Sequence, residues 1–218
     1  DHSRWLEFRR VLFRSTKVAG IDFTRKYFPK LFSFLGEFEY SNNGSKKLGT
    51  AEGGKKIRLL GVNYVDELKK SRAGLDEYFL KTIHHEFVHI LNQTKDYPRD
   101  FDKITPNGYV NDAWSSDERL EGYLPRGFIT NYAQKEARED FAEMVSTYIV
   151  STPERWEAMM KAAEGTDKSG REAIEKKLAI CKLYYKENFG IDLDKVRDAV
   201  IERENDVVNG AYDLRSLN

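Results

Sequence analysis

The residue composition of the sequence excludes several common kinds of site. Cys181 is the only cysteine, which excludes an intramolecular disulfide and a cysteine-ligated zinc cluster. It lies in a helical pattern, so we expect it to be buried as a small apolar residue. The 36 acidic and 36 basic residues are interspersed and cancel, which argues against electrostatic binding to nucleic acid or to an anionic membrane. No stretch is apolar enough to cross a membrane, and there are no repeats. A specific ligand is therefore expected rather than a polyanion.

The first fifteen residues do not resemble the start of a domain. Residues 1–15 read DHSRWLEFRRVLFRS, and the last four match one reading frame of a common sequencing-adapter end, GCTCTTCCGATCT. We interpret this segment as non-native and exclude it from the fold argument. The natural N-terminus is then missing. The predicted domain is a single one over residues 16–218, which is long enough to bury a sizeable core.

Histidine is scarce, and three of the four histidines lie in one stretch, TIHHEFVHILNQ, from Thr82 to Gln93. It contains the pattern His-Glu-x-x-His. Apolar residues at helical spacing predict a central helix, which places His85 and His89 one turn apart, where both can bind one metal ion. Glu86 then lies beside the metal, as the general base does in zinc peptidases. The alternative is an ordinary helix with surface histidines. His84 points away from His85 and is expected to pack or to form a supporting hydrogen bond.

The third metal ligand must come from elsewhere in the chain. Asn92 and Lys95 stand where a metzincin would have its glycine and third histidine, so that pattern is absent. With no other usable histidine, the ligand is expected to be a carboxylate. Glu136, Glu139 and Glu143 are spaced by three and four residues, so on one helix all three project to roughly the same side. Spacing alone leaves the ligand open, and such acids also commonly solvate a helix face. If Glu139 is the ligand, Glu143 lies one helical turn further along the chain. Its carboxylate can then accept a hydrogen bond from the non-coordinating nitrogen of His85 and fix the orientation of the ring.

The remaining pattern predicts an α+β fold of zincin-like type, with a small N-terminal sheet, a central metal-binding helix and a mostly helical C-terminal half from about residue 152. A first helix is expected over Asp22 to Phe28. The predicted strands are Leu31 to Tyr40, Lys46 to Thr50 across a turn at residues 41–44, and Ile57 to Val65. A charged connector over residues 66–72 leads to the central helix, which starts near Leu75. A long loop, residues 94–131, follows it. Later helices are expected from near Glu136, after Thr152-Pro153, and over residues 168–189 and 192–208, the last two closed by Gly190 and Gly210.

Three segments resemble a known family: LGTAEGGKKI at residues 48–57, TIHHEFVHILNQTKDYP at residues 82–98 and GFITNYAQKEAREDFAEM at residues 127–144. The chain resembles the zinc metallopeptidase or metallohydrolase lipoproteins of gut bacteria that accompany nutrient-import systems. The resemblance implies a gluzincin-like peptidase with zinc as cofactor, His85, His89 and Glu139 as ligands, and Glu86 as general base. It also implies an extracytoplasmic protein, lipid-anchored to the bacterial outer membrane, which acts on peptides or proteins and associates with an outer-membrane nutrient-import complex.

Tyr132 gains a candidate role from a more distant resemblance, to the catalytic domain of the anthrax lethal-factor type. That similarity implies a tyrosine seven residues before the ligand glutamate, and Tyr132 stands at this distance from Glu139. A phenol there can donate to the oxygen that becomes negative during attack. The alternative is a packed aromatic residue with a hydrogen-bonded hydroxyl.

The sequence thus predicts a zinc-dependent peptidase that uses a metal-activated water and Glu86. The alternative is a catalytically weak zinc-binding accessory protein in a nutrient-uptake system. Glu86 argues against that alternative, because a pure binding protein needs no base. A purely structural zinc protein is disfavoured because three protein ligands leave a position for water. We also expect an extended substrate to pair with a free edge of the strand at Ile57 to Val65.

Overall fold

The computed structural model describes residues 18–68, 70–116 and 122–209. The predictions for residues 1–15 and for Gly210 lie outside these ranges. Over the described part, the fold is α+β with small sheets and a larger helical portion, as predicted. None of the helices described there is both long and apolar enough to cross a membrane.

Two small sheets follow the first helix, α1 (Ile21–Tyr27). The strands are β1 (Leu31–Phe34), β2 (Glu39–Tyr40), β3 (Lys46–Lys47), β4 (Gly49–Glu52) and β5 (Lys56–Leu59). β2 and β3 form the predicted hairpin. The other sheet has the order β1-β5-β4, with β1 parallel and β4 antiparallel to β5. The predicted strand Leu31 to Tyr40 is therefore two strands that belong to different sheets.

The prediction of a strand from Ile57 to Val65 is wrong after Leu59. β5 ends at Leu59, and Gly61 adopts a left-handed conformation with φ of 76°. A glycine reaches this conformation without the steric cost of a Cβ atom. The chain then turns into a 3₁₀ helix, Val62–Tyr64, and into helix α2 (Val65–Leu68). Residues 66–68 of the predicted charged connector are therefore helical.

The proposed substrate edge on this strand is also wrong. β5 lies in the middle of its sheet and is paired on both sides, so its main chain offers no free edge to a peptide. Within the described residues, the sheet edge beside the central helix belongs to β4, which packs against that helix. A substrate strand can add only to an edge.

The central helix is longer than predicted. Three consecutive segments form it: α3 (Arg72–Leu75), a π-helical turn (Asp76–Leu80) and α4 (Lys81–Asn92). It starts before Leu75 because Ser71 caps it, with its side-chain oxygen accepting a hydrogen bond from the amide of Gly74 at 3.0 Å. The apolar residues at helical spacing that predicted this helix are buried: Ile83, Val88 and Leu91 are each 2% exposed or less.

The C-terminal half supplies four more helices in the described part of the chain. They are α5 (Ala137–Val150), α6 (Pro153–Ala163), α7 (Ser169–Phe189) and α8 (Leu193–Val208). Thr152 caps α6 and Gly190 ends α7 in the left-handed conformation, both as predicted. Cys181 is buried in α7, also as predicted. In its described residues, the long connection between α4 and α5 is mainly turns, with 3₁₀ helices at Asn111–Ser115 and Tyr132–Gln134. α4 packs closely on α5, which brings the central helix against the first C-terminal helix.

A buried pair of carboxyl groups ties α8 to the start of the central helix. Asp76 and Glu204 are 0% and 1% exposed. Arg155 donates to Asp76 over 2.9 Å, and Arg72 donates to Glu204. Burial, together with the hydrogen bond to Asp76, raises the pKa of the Glu204 carboxyl well above its usual range. Glu204 therefore holds a proton in the folded protein at a pH where the unfolded chain has lost it.

We expect Glu204→Gln to stabilise the protein above neutral pH by about 1–2 kcal/mol, because a neutral amide replaces a carboxyl group that burial disfavours in its charged form. A raised folded-state pKa gives stability that is complete below the unfolded pKa and is lost as the pH rises. The free energy of unfolding of the native protein should therefore fall from pH 5 to pH 9 more steeply than that of the variant. Urea titrations across this range measure both slopes, and equal slopes would contradict the assignment.

Candidate metal centre

The structure brings His85, His89 and Glu139 together. The Nε2 atoms of the two histidines are 3.0 Å apart, and each lies 3.1 Å from Oε2 of Glu139. Zinc bonds of about 2.0–2.1 Å in tetrahedral geometry separate ligand atoms by about 3.3 Å. Two imidazole nitrogens and one carboxylate oxygen are also a typical donor set for zinc. The residues therefore fit a zinc ion in both spacing and chemistry.

The secondary structure explains how these donors meet. His85 and His89 lie one turn apart on α4, and Glu139 lies in the first turn of α5, which packs on α4. Glu136 has extended backbone angles just before α5, and its carboxylate contacts Arg138 instead. The expectation that three glutamates share one helical face is therefore wrong for Glu136, because it precedes the helix.

Glu143 holds His85 from the other side of the ring. Its Oε1 lies 2.8 Å from Nδ1 of His85, while its Oε2 accepts from Lys81 at 2.7 Å and from Thr130 at 2.6 Å. Burial alone raises the pKa of Glu143, but Lys81 and His85 outweigh it and hold that pKa well below its usual range. The network assigns the proton on His85 to Nδ1, which leaves Nε2 free to bind a metal.

Lys81 and Thr130 are members of this network that the sequence analysis missed. Lys81 stands four residues before His85, on the same side of the helix, so a helical projection shows the proximity. Thr130 gives no comparable signal, because its position depends on how the turn before Tyr132 folds. Its hydroxyl also accepts from the amide of Ala133 at 3.1 Å, which fixes the side chain.

The electrostatics of the cluster favour a positive charge. Burial lowers the pKa of His85, but hydrogen bonds to Glu139 and Glu143 outweigh burial and raise it to about 10. Burial also acts against ionisation of Glu139, yet the two histidines hold its pKa below the usual range. Nδ1 of His89 is buried and has no hydrogen-bond partner among the described groups. A divalent cation is a natural complement to two buried carboxylates around these rings.

Glu86 is held beside the ligands by the edge strand. It is 9% exposed, and the backbone N–H of Ala51 in β4 donates to its carboxylate. Burial raises the pKa of Glu86. Gly49 permits this approach of β4, since an added Cβ would lie 2.6 Å from Cγ2 of Thr82 and 3.4 Å from Cγ of Glu86. Ala51 and Gly49 are contributors that the sequence analysis did not identify, although both lie in its first quoted segment.

Tyr132 lies on the 3₁₀ helix next to the cluster. Its ring centroid is 6.0 Å from that of His85 and 4.9 Å from that of Trp114. Burial, followed by the nearby carboxylates of Glu139, Glu143 and Glu86, raises the pKa of the phenol. The hydroxyl therefore stays protonated and is able to donate a hydrogen bond.

His84 occupies the other side of α4. It lines a small cavity of about 30 Å³ among aromatic and aliphatic side chains, including Phe23, Phe87 and Tyr185. Burial lowers the pKa of His84 to about 4, which keeps the ring neutral. This position agrees with the predicted packing role and keeps His84 away from the metal ligands.

The metal cluster opens into a cleft of about 660 Å³. The β2–β3 hairpin, the start of β4, the central helix and the two 3₁₀ helices of the long connection provide its walls. This volume is typical of clefts that bind ligands larger than a single small ion. A cleft large enough for an extended ligand therefore lies beside Glu86.

Comparisons with known proteins agree with this geometry. Residues 9–194 match the model of the family described as "Putative zinc-binding metallo-peptidase". A crystal structure of a protein from Bacteroides caccae with the same description is 32% identical, with a TM-score of 0.80, and the alignment covers 100% of this chain and 82% of that one. No curated protein matches the chain. On the extent of these two matches, the chain belongs to this family of zinc-binding metallopeptidases.

Proposed function

We propose that the protein is a zinc-dependent peptidase in which His85, His89 and Glu139 bind the metal and Glu86 is the general base. One observation carries the proposal: a buried carboxylate stands beside three converging metal-ligating atoms at the floor of an open cleft. A structural metal site needs neither the cleft nor a base.

The chain's own residues account for the proton transfers of peptide hydrolysis. A zinc ion held by His85, His89 and Glu139 would supply Lewis acidity to water and to the scissile carbonyl. Glu86, oriented by the amide of Ala51, accepts the proton of the attacking water and returns it to the leaving amine. Tyr132 donates from its protonated hydroxyl to the developing oxyanion.

The edge of β4 supports an extended substrate. The amide of Leu60 donates to the carbonyl of Leu48, and antiparallel pairing then directs the main-chain groups of Gly49 and Ala51 away from β5. The Ala51 amide holds Glu86, while the carbonyls of both residues and the Gly49 amide lie on the outer edge. Leu48 and Gly49 line the cleft. A peptide paired here lies alongside the proposed base.

Digestion of a peptide library by the zinc-supplemented protein tests the proposal. We expect new termini, detected by mass spectrometry, that disappear with a chelator and return when zinc is restored. A protein that binds one zinc but cleaves nothing in a broad library would contradict peptidase activity and favour the accessory zinc-binding protein.

We expect Tyr132→Phe to lower kcat by about 10²–10³-fold with little change in KM, since an oxyanion donor acts in the transition state. Zinc content should stay at the native value, because the phenol is not a ligand. Steady-state kinetics with one cleaved peptide give both constants. A variant with native kcat would assign Tyr132 a packing role against Trp114 and His85.

Location and partners rest on the sequence resemblance, and they remain proposals. We propose an extracytoplasmic protein anchored by lipid to the outer membrane and associated with a nutrient-import complex. Fractionation of the native cells with an antibody to this domain tests the location, and recovery in the cytoplasm would contradict it.

A further inference from the structure

The cleft wall contains two lysines whose ammonium groups form no ion pair with any acid among the residues that the structure describes. Lys46 lies on β3, and Lys135 follows the 3₁₀ helix that carries Tyr132. Both line the cleft. Within the described part of the chain, neither ammonium group has a carboxylate within 4.0 Å. Lys81, in contrast, is bound to Glu143 at 2.7 Å.

Aromatic rings hold these two charges at the wall. Nζ of Lys46 lies 4.5 Å from the ring centroid of Phe38 and 5.3 Å from that of Tyr78. Nζ of Lys135 lies 5.5 Å from the ring centroid of Tyr132. A ring face stabilises an ammonium group only in part, so its hydrogen-bonding capacity remains available to a ligand.

The two lysines belong to one connected rim. The side-chain amide of Asn43, in the β2–β3 turn, donates to the hydroxyl of Ser115 at 3.0 Å. The 3₁₀ helix that ends at Ser115 is joined to the other lysine, because the amide of Asn111 donates to the carbonyl of Lys135 at 3.0 Å. The hairpin with Lys46 and the segment with Lys135 are therefore linked around the same opening.

The balance of charges in the cleft also favours an anionic ligand. Among its described lining residues, the lysines and acids are equal in number: Lys46, Lys47, Lys81 and Lys135 against Glu77, Glu86, Asp112 and Glu143. A bound zinc ion would add two positive charges and its ligand Glu139 one negative charge, so the described lining would carry a net positive charge. Glu86 and Glu143 are buried beside the candidate metal ligands, and Lys47 lies opposite Glu39 in the hairpin. Among the described lining residues, the exposed acids are Glu77 and Asp112, and neither forms an ion pair with the two lysines.

We propose that Lys135, with Lys46, forms a carboxylate-binding subsite, so that the preferred substrate is a peptide carrying a carboxylate near the scissile bond. This rests on the proposed peptidase function and adds the substrate's chemical class. The carboxylate belongs either to an acidic side chain or to the peptide's C-terminus, since an ammonium group binds both in the same way.

Binding measured without cleavage tests the subsite. The probe is a set of fluorescent peptides in which one glutamate is scanned through the sequence, each compared with its glutamine counterpart and each made with a C-terminal acid or amide. The protein is zinc-supplemented Glu86→Gln, in which the expected loss of hydrolysis keeps the probe intact during the measurement. We expect at least one carboxylate peptide to bind about tenfold more tightly than the fully neutral one in fluorescence anisotropy.

Further variants in the same background assign the effect to the two lysines. Lys135→Glu should abolish the preference for the carboxylate, Lys46→Gln should reduce it, and Lys195→Glu, an exposed lysine on α8 outside the cleft, should leave it unchanged. All variants should keep native zinc content and circular dichroism. The acid and amide pairs show whether a side chain or a terminus supplies the carboxylate.

Two results would overturn the subsite: equal affinity for all peptides, or a preference that survives both substitutions together. If wild-type protein hydrolyses neutral peptides in either case, the peptidase function stands and only the subsite fails. Carboxylate-selective binding that depends on Lys135, with no hydrolysis by wild type, would keep the subsite and contradict the peptidase.

Discussion

Glu86→Gln is expected to lower peptide hydrolysis by about 10³–10⁴-fold while zinc and fold are retained. Glutamine keeps the shape of the side chain but cannot accept a proton. The two histidines and Glu139 are unchanged, so metal binding has no reason to fall. The amide of Ala51, which donates to the carboxylate of Glu86, can still donate to the carbonyl oxygen of the glutamine.

The measurement is kcat/KM on one cleaved peptide, with zinc content determined on the same samples. Glu172→Gln, which alters an exposed acid on α7 in the same way, is the matched control and should match wild type. Hydrolysis by Glu86→Gln at the native rate would remove the proton-transfer role. Loss of zinc from Glu86→Gln would instead make this residue part of the metal site.

Glu139→Ala is expected to lose zinc altogether, because it removes the one carboxylate ligand from a site that otherwise has two imidazoles. Glu143→Ala should weaken zinc binding by about 10–100-fold, since the partner that orients His85 is lost. Glu136→Ala should bind zinc like the native protein, because its carboxylate contacts Arg138 outside the cluster. His85→Ala and His89→Ala should behave like Glu139→Ala.

Competition with a chromophoric chelator at fixed pH measures these affinities, and circular dichroism verifies the fold. The ranking of the zinc affinities of the three glutamate variants matters more than any single affinity. Tight zinc binding by Glu139→Ala, or complete loss from Glu136→Ala, would overturn the assignment of ligands. Equal weakening by Glu139→Ala and Glu143→Ala would mean that both carboxylates bind the ion.

The parts of the fold that depend on local pattern were predictable from the sequence. The apolar flanks around His85 and His89 specify a helix whatever packs on it, and Thr152, Pro153 and Gly190 mark helix ends by their own conformational preferences. The helix boundary at Ser71 was also visible in principle, since serine is a favoured cap, but the π-helical turn that joins α3 to α4 has no comparable signal.

The parts that depend on long-range pairing were not predictable. β1 pairs in parallel with β5 across more than twenty intervening residues. The sequence of neither strand specifies which other strands pair with it. This pairing places β5 in the centre of the sheet and leaves β4 at the edge beside Glu86. The contact of Ala51 with Glu86 depends on this pairing, and that of Thr130 with Glu143 on how the turn before Tyr132 folds, which explains why the ligand candidates were found and their supports were missed.

Anomalous diffraction at the zinc edge, from crystals of the zinc-supplemented protein, tests the central claim most directly. The account predicts one strong peak between Nε2 of His85, Nε2 of His89 and Oε2 of Glu139, with the carboxylate of Glu86 facing it from the cleft. A peak held by Glu143 in place of Glu139, or no peak at this cluster in protein that has bound zinc, would contradict it.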